Sequence, residues 1–199
     1  MRARSRYDPV PFDTAQAVVW DEFFASHKSD LIVDLGVEAR FWMAYWERSL
    51  HLLGVDESYL SEALDKFMFY KFLALYPEVN DVLATLAGHG FALGVISDTF
   101  PSLNDSLAFL DIKHFFRAVV DSATVGEMKP SPTIYQKGLK LLEVRAEESL
   151  FIDDGLENAQ GARAMGMQAL WLDRRLPTHR LDEGVVADLS GVLVYLGLG

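Results

Sequence analysis

The sequence predicts an α/β fold in which helices cover both faces of a mostly parallel sheet, behind an N-terminal stretch that is helical and aromatic-rich. Three observations lead there. The patterning changes near Pro77, from helical spacing before it to alternating strands and helices after it. Such alternation is the mark of parallel strands joined by crossover helices. The third observation is the stretch Leu150-Phe151-Ile152-Asp153-Asp154-Gly155-Leu156-Glu157-Asn158, an apolar strand that runs into two adjacent carboxylates and a turn opening a helix. Open parallel sheets bind ligands at the carboxyl ends of their strands, so these acids stand where such a fold carries chemistry.

Each element has its own signal. Ala15, Val19 and Phe23 share a helical face behind Asp13-Thr14. Trp42, Trp46, Leu50 and Leu53 form one stripe at helical spacing, flanked by Phe41 and Tyr45, and Gly54 ends that helix. This stripe is packing surface rather than a cofactor box. Asp56 or Ser58 caps a following helix that carries Leu60, Leu64, Phe67 and Met68. Beyond Pro77 the pattern predicts a helix over 80–87, closed by Gly88-His89-Gly90, and a strand over 91–96 ending at Ser97-Asp98-Thr99. A helix over 103–110, a strand over 116–120 and a helix over 132–142 follow. Then come a strand over 150–152, a helix over 157–165 closed by Gly166, and a strand over 168–172. A short fifth strand over 185–187 and a last helix from 189 complete the series.

Composition narrows the function. Half of the 199 residues are hydrophobic and 12% aromatic, which supplies a substantial core and argues against disorder. With no cysteine there is no disulfide, thiolate metal site or cysteine nucleophile. A net charge of −11 repels a polyphosphate backbone and argues against nucleic acid as partner. No apolar run approaches the roughly 20 residues needed to span a bilayer. Met1-Arg2-Ala3-Arg4-Ser5-Arg6 is basic, but no apolar secretory core follows it. The expectation is a cytoplasmic protein that binds neither nucleic acid nor membrane.

Three strand ends carry groups suited to phosphate. Ser97 follows an apolar strand, and its hydroxyl and neighbouring backbone N–H groups, with Asp98 and Thr99 beside them, suit a phosphoryl oxygen. The same Ser-Asp-Thr run is equally a helix cap. Lys129, in Gly126-Glu127-Met128-Lys129-Pro130-Ser131-Pro132, is held by two following prolines, so its ammonium can be aimed at charge on a transferring phosphoryl group. Asp153 and Asp154 are paired oxygen ligands for a hard divalent cation such as Mg²⁺; the bland reading is an Asp-Asp-Gly turn with nothing bound.

In this order and spacing, the three motifs closely resemble those of the haloacid dehalogenase-like hydrolases. Ile96-Ser97-Asp98-Thr99 is similar to the second motif of that superfamily, and Gly126 to Pro130 to the third. Phe151 to Gly166 is similar to the fourth motif and the helix after it. The resemblance covers roughly residues 77–175. It implies a Rossmann-like three-layer core over 77–199 and a small helical cap over 1–76. It also implies that Ser97 binds phosphate, that Lys129 stabilises a phosphoryl intermediate, and that Asp153 holds Mg²⁺ with Asp154 sharing or orienting the metal shell.

The resemblance further implies an aspartate nucleophile at the end of a first, central strand, forming an aspartyl-phosphate that water hydrolyses. The expected spelling, an apolar strand followed by Asp-x-Asp-Gly-Thr, is not found. Two stretches imitate it. Ala17-Val18-Val19-Trp20-Asp21 has the apolar run, but Phe23 stands where a second acid belongs. Leu31-Ile32-Val33-Asp34 has only three apolar residues and lies 63 positions before Ser97. Asp34 and Asp21 are therefore weak nucleophile candidates. Either a first strand precedes Arg2, with 2–9 as the linker out of it, or the nucleophile has been discarded. Losing a central strand leaves its two neighbours with unpaired backbone groups, to be filled by another segment or a partner chain.

The function these features predict is Mg²⁺-dependent hydrolysis of a small phosphorylated metabolite, with this chain impaired. The alternative is a non-catalytic binding or scaffolding protein whose acidic, aromatic-rich helices form a homodimer face. The five histidines show no metal-ligand spacing, and no Gly-x-Ser-x-Gly elbow or Walker loop is present. Arg174 and Arg175 are surface charges, or partners for an anionic substrate near the sheet edge.

Overall fold

A computed structural model describes residues 11–25 and 32–198. The expected linker at 2–9, His27 and Leu31 lie outside the described residues. The described residues open with three α-helices, α1 (Phe12–Ala25), α2 (Leu35–Leu53) and α3 (Leu60–Lys66). There follow α4 (Val79–Gly88), β1 (Leu93–Ser97), α5 (Leu103–Phe109), β2 (Phe116–Asp121), α6 (Ser122–Val125) and α7 (Pro132–Leu142). The last part comprises β3 (Leu150–Asp153), α8 (Leu156–Ala164), β4 (Gln168–Leu172), β5 (Val185–Val186) and α9 (Ser190–Tyr195).

The helical region forms around α2. The Asp34 carboxylate accepts the Val37 N–H at 2.8 Å and caps the helix, while Gly54 ends it at φ 66°, a conformation that costs a glycine little. Phe41, Trp42, Tyr45 and Trp46 are buried on its inner face. Ala15 and Val19 of α1 are fully buried against it. Rings lock the cluster: Trp42 stacks on Phe69 with centroids 5.6 Å apart, and Phe23 meets Phe41 edge-on at 5.3 Å. The sequence placed Phe67 and Met68 within the third helix, but α3 stops at Lys66. Met68 is extended, and a 3₁₀ turn over Phe69–Phe72 follows. Packing of Phe69 on Trp42 and of Phe67 on Trp46, with centroids 5.6 Å apart in both pairs, accompanies this earlier exit.

Every strand ladder is parallel, as the alternation requires, but the strands do not form one sheet. β1 pairs with β2, β3 with β4, and β4 with β5; among the described residues no ladder joins β1 to β3. The result is two half-sheets. Helices pack across them. Tyr135 and Ile134 of α7 share one core cluster with Val120 of β2 and Phe151 of β3. On the other face, the cluster around Val82, Leu86 and Val192 receives Leu93 of β1 as well as Leu150 and Ile152 of β3. No described helix is long and apolar enough to cross a membrane.

Candidate functional site

The polar groups converge where β1 and β3 end. β1 delivers Ser97, and the chain then turns through Asp98 and Thr99. The Asp98 carboxylate accepts the Lys129 backbone N–H at 2.9 Å, and the Thr99 N–H donates to the Ser122 hydroxyl at 3.1 Å. These bonds tie the loop after β1 to the loops after β2. Lys129 precedes a cis peptide bond to Pro130. Its ammonium donates to the Ile96 carbonyl at 3.2 Å and to Asp153 Oδ2 at 2.7 Å, with only 9% and 7% of the two side chains exposed. A buried ion pair needs further hydrogen bonds to offset desolvation. Asp153 has them: Oδ1 accepts from the Gly155 N–H at 2.8 Å and from Asn158 Nδ2 at 2.9 Å.

Two glycines allow this closeness. A Cβ on Gly155 would meet Asn158 Nδ2 at 2.7 Å and Asp153 Oδ1 at 3.0 Å. One on Gly161 would meet the Pro130 ring at 2.6 Å and the Tyr135 hydroxyl at 3.0 Å, pushing α8 off the Lys129 loop. Tyr135 itself is fully buried, packs edge-on against Phe151, and donates to the Asn158 carbonyl at 2.8 Å. Burial, with the charges of Asp153 and Asp98 nearby, pushes its phenol up to about 12. It therefore stays a neutral donor that fixes the first turn of α8 and, through it, Asn158.

Asp154 is exposed, and its backbone carbonyl accepts the Trp171 indole N–H at 3.0 Å. It lines an open cleft of about 650 Å³ together with Asp153, Asp173, Tyr76, Arg174 and Arg175. Arg175 is an exposed surface charge and Arg174 is partly buried, and each has a carboxylate partner. Arg174 pairs with Glu78 at 2.8 Å and lies 3.6 Å over the Tyr76 ring, while Arg175 pairs with Asp173 at 2.7 Å. The Arg175 guanidinium holds the Asp173 carboxyl below its ordinary value.

Ser97, Asp98, Lys129 and Asp153 thus stand together, with Asp154 at the cleft side. The nucleophile candidates stand elsewhere. Asp34 is occupied as the α2 cap, and Asp21 lies on α1; among the described residues neither bonds or pairs with Ser97, Lys129 or Asp153. No three described side chains of the ligating kinds are gathered tightly enough to cage a metal alone. The donors present are nevertheless hard oxygens, and Mg²⁺ commonly takes one or two carboxylates and fills its shell with water and phosphate. Asp153 and Asp154 fit that mode.

Sequence reasoning missed Tyr135, Asn158, Ser122 and Glu38. Glu38 is 2% exposed and accepts from the Ser102 N–H at 2.8 Å, the Ser102 hydroxyl at 2.5 Å and the Trp42 indole at 3.0 Å. It fastens the aromatic helices to the chain just beyond Ser97-Asp98-Thr99. An acid embedded in an aromatic stripe was the available signal.

The chain is 31% identical over 167 residues to a glyceraldehyde 3-phosphate phosphatase of Pyrococcus abyssi, covering 82% of this chain and 66% of that enzyme. It is also 31% identical over 119 residues to an (S)-2-haloacid dehalogenase of a Pseudomonas species, covering 59% and 52%. The chain therefore spans about two thirds or less of the length of these curated relatives. A solved HAD phosphatase from Thermococcus onnurineus superposes with a TM-score of 0.59 at 20% identity, over 85% of this chain and 92% of that one, a likeness of fold alone. The family model for haloacid dehalogenase-like hydrolases matches residues 28–172, and this chain belongs to that family.

Proposed function

We propose that the site binds the phosphoryl group of a small phosphate monoester beside Mg²⁺, and that the chain alone turns it over slowly. The observation that carries this is the Lys129 ammonium, clamped between the Ile96 carbonyl and Asp153 where β1 and β3 end. The Ser97 hydroxyl and the Asp98 N–H would hold one phosphoryl oxygen. Lys129 would neutralise charge developing on another, in a partly dry site where a fixed cation acts strongly. Asp153 would aim Lys129, with Gly155 and Asn158 holding Asp153 in turn. Asp153 and Asp154 would hold Mg²⁺, which when bound supplies further compensation of phosphate charge. A cation and paired acids favour phosphate over halide as leaving chemistry, although the family includes both.

Slow turnover follows from the nucleophile. Asp34 serves as a helix cap and Asp21 belongs to α1, so neither nucleophile candidate joins the described site to form an aspartyl-phosphate. The division into a cap over 1–76 and a core over 77–199, joined at Glu38 and Ser102, belongs to the same reading. The test is hydrolysis of an aryl phosphate with and without Mg²⁺, beside calorimetric titration with Mg²⁺ and inorganic phosphate. Binding that weakens in Asp153→Asn, with little turnover, is the expected result. Robust Mg²⁺-dependent turnover abolished by Asp153→Asn would overturn the claim of impairment, and Asp34→Asn and Asp21→Asn would then find the nucleophile. Absence of both binding and turnover would favour the scaffolding alternative.

A further inference from the structure

We infer that the helical region holds a second ligand site, a cavity suited to a neutral, flat aromatic molecule that carries a carbonyl oxygen. It stands apart from the phosphatase reading, since none of its described lining residues belongs to the phosphoryl site. The cavity measures about 300 Å³ and lies between α1, α2 and the 3₁₀ turn after α3. Eight of its nine described lining residues are aromatic, and the ninth is Gln16. Trp42, Tyr45 and Trp46 are buried and make the floor, whereas Phe12, Phe67 and Phe72 are exposed and make the rim. An apolar cavity of about 150 Å³ takes benzene, so one about twice as large suits a two-ring molecule. The aromatic stripe of α2 thus packs on one side and lines a cavity on the other.

The polar atoms of the wall decide the ligand. Tyr45 donates its hydroxyl to Gln16 Oε1, and the Trp42 indole donates to Glu38 at 3.0 Å. Burial raises the Tyr45 phenol above its ordinary value, so it stays a neutral donor and keeps the Gln16 oxygen engaged. Two donors are left over. Gln16 Nε2 and the Trp46 indole nitrogen are buried with no hydrogen-bond partner among the described residues. Trp46 as a whole is 4% exposed, so solvent does not satisfy it. Buried donors without partners are rare in folded proteins, and each calls for an explanation. These two share the wall of one cavity.

The occupant must therefore bring an acceptor and no new donor. Water brings two hydrogens of its own to walls of aromatic carbon, and a hydroxyl brings one. A carbonyl oxygen offers two lone pairs and no hydrogen. Charge is disfavoured too. The described lining has no Lys, Arg, Asp or Glu to balance an ion, and an unpaired buried ion is costly. Faces and edges of the surrounding rings suit a further flat ring.

The test titrates the full chain with methyl β-naphthyl ketone and, separately, with its isopropenyl analogue, which has the same shape with a methylene in place of the oxygen. Trp20, Trp42 and Trp46 line the cavity, so tryptophan fluorescence reports occupancy. Saturable binding is expected, with the ketone about tenfold tighter than the hydrocarbon because it meets the stranded donors. Gln16→Leu and Trp46→Phe each remove one donor while keeping bulk, and each should cut that preference about threefold. The double variant should bind the two molecules alike. If one variant fails to fold, the other and the wild-type comparison still decide. No saturable ketone binding up to its solubility limit would overturn the site, and so would equal affinities of ketone and hydrocarbon for the wild type. A preference unchanged in the variants would put the ketone elsewhere and overturn it as well. Competition by inorganic phosphate would place the ketone at the phosphoryl site, which removes the second site while leaving the phosphate reading intact.

Discussion

Phe41 touches the rings of Phe23, Trp42, Tyr45 and Phe100, and Trp42 adds Phe69, so the helical region is held by many overlapping apolar contacts. The α/β region is different. Among the described residues its half-sheets share helix layers but no ladder, and at the site one ammonium spans them. Redundant packing spreads the cost of any single loss, whereas a buried ion pair concentrates it. The region that carries the candidate chemistry is therefore the one that depends on single residues.

The sharpest way to break this contrast is Lys129→Met. It leaves the Asp153 carboxylate buried with only the Gly155 and Asn158 donors, and a loss of about 3–5 kcal/mol is expected in urea unfolding. Adding Asp153→Leu removes the stranded charge and should recover most of that loss, although not phosphate binding. Trp42→Ala tests the other side. Its cavity should cost about 3–5 kcal/mol as well, yet leave phosphate and Mg²⁺ affinity within a few-fold. If affinity collapses as far as in Lys129→Met, the two regions are not separable.

Smaller changes sharpen the comparison. Gly161→Ala should cost about 1–3 kcal/mol by overpacking α8 against Pro130, and should weaken phosphate binding through the Lys129 loop. Glu38→Gln keeps its shape but loses charge-assisted bonds to Ser102, at about 1–2 kcal/mol in thermal unfolding. The smallest effect is acid dependence. Burial pushes Glu78 up, but a backbone N–H bond of its own, Arg174 and Leu189 outweigh that and hold it below its ordinary value. The Ser190 hydroxyl holds Asp188 low against burial. Carboxyls depressed in the folded state add stability that is complete above their unfolded values near pH 4 and is lost as pH falls through their folded ones. A gentle decline in melting temperature below pH 4 should appear, shallower in Glu78→Gln.

Much of this protein was legible in advance because the signals were local. The strand ends at Ser97 and Asp153 and the helix over 132–142 follow from hydrophobic period and turn residues, which need no knowledge of distant neighbours. The boundary at 67–68 failed because the aromatic rings of Phe67 and Phe69, rather than helical spacing, set where α3 ends. Asp34 showed the limit from the other side. An apolar run before an acid spells both a nucleophile strand and a helix cap, and only the Val37 N–H at 2.8 Å reveals the cap.

By itself the sequence determined the parallel α/β order, the aromatic character of the first helices and the residues that crowd the strand ends. The tertiary structure decided how those residues meet: Lys129 on Asp153, Tyr135 beneath Asn158 and Glu38 on Ser102, with no ladder between β1 and β3 among the described residues. The physical reason is range. Period and capping act within a few residues, while a buried charge chooses its partners, and an open strand edge its neighbour, from segments far apart in the chain.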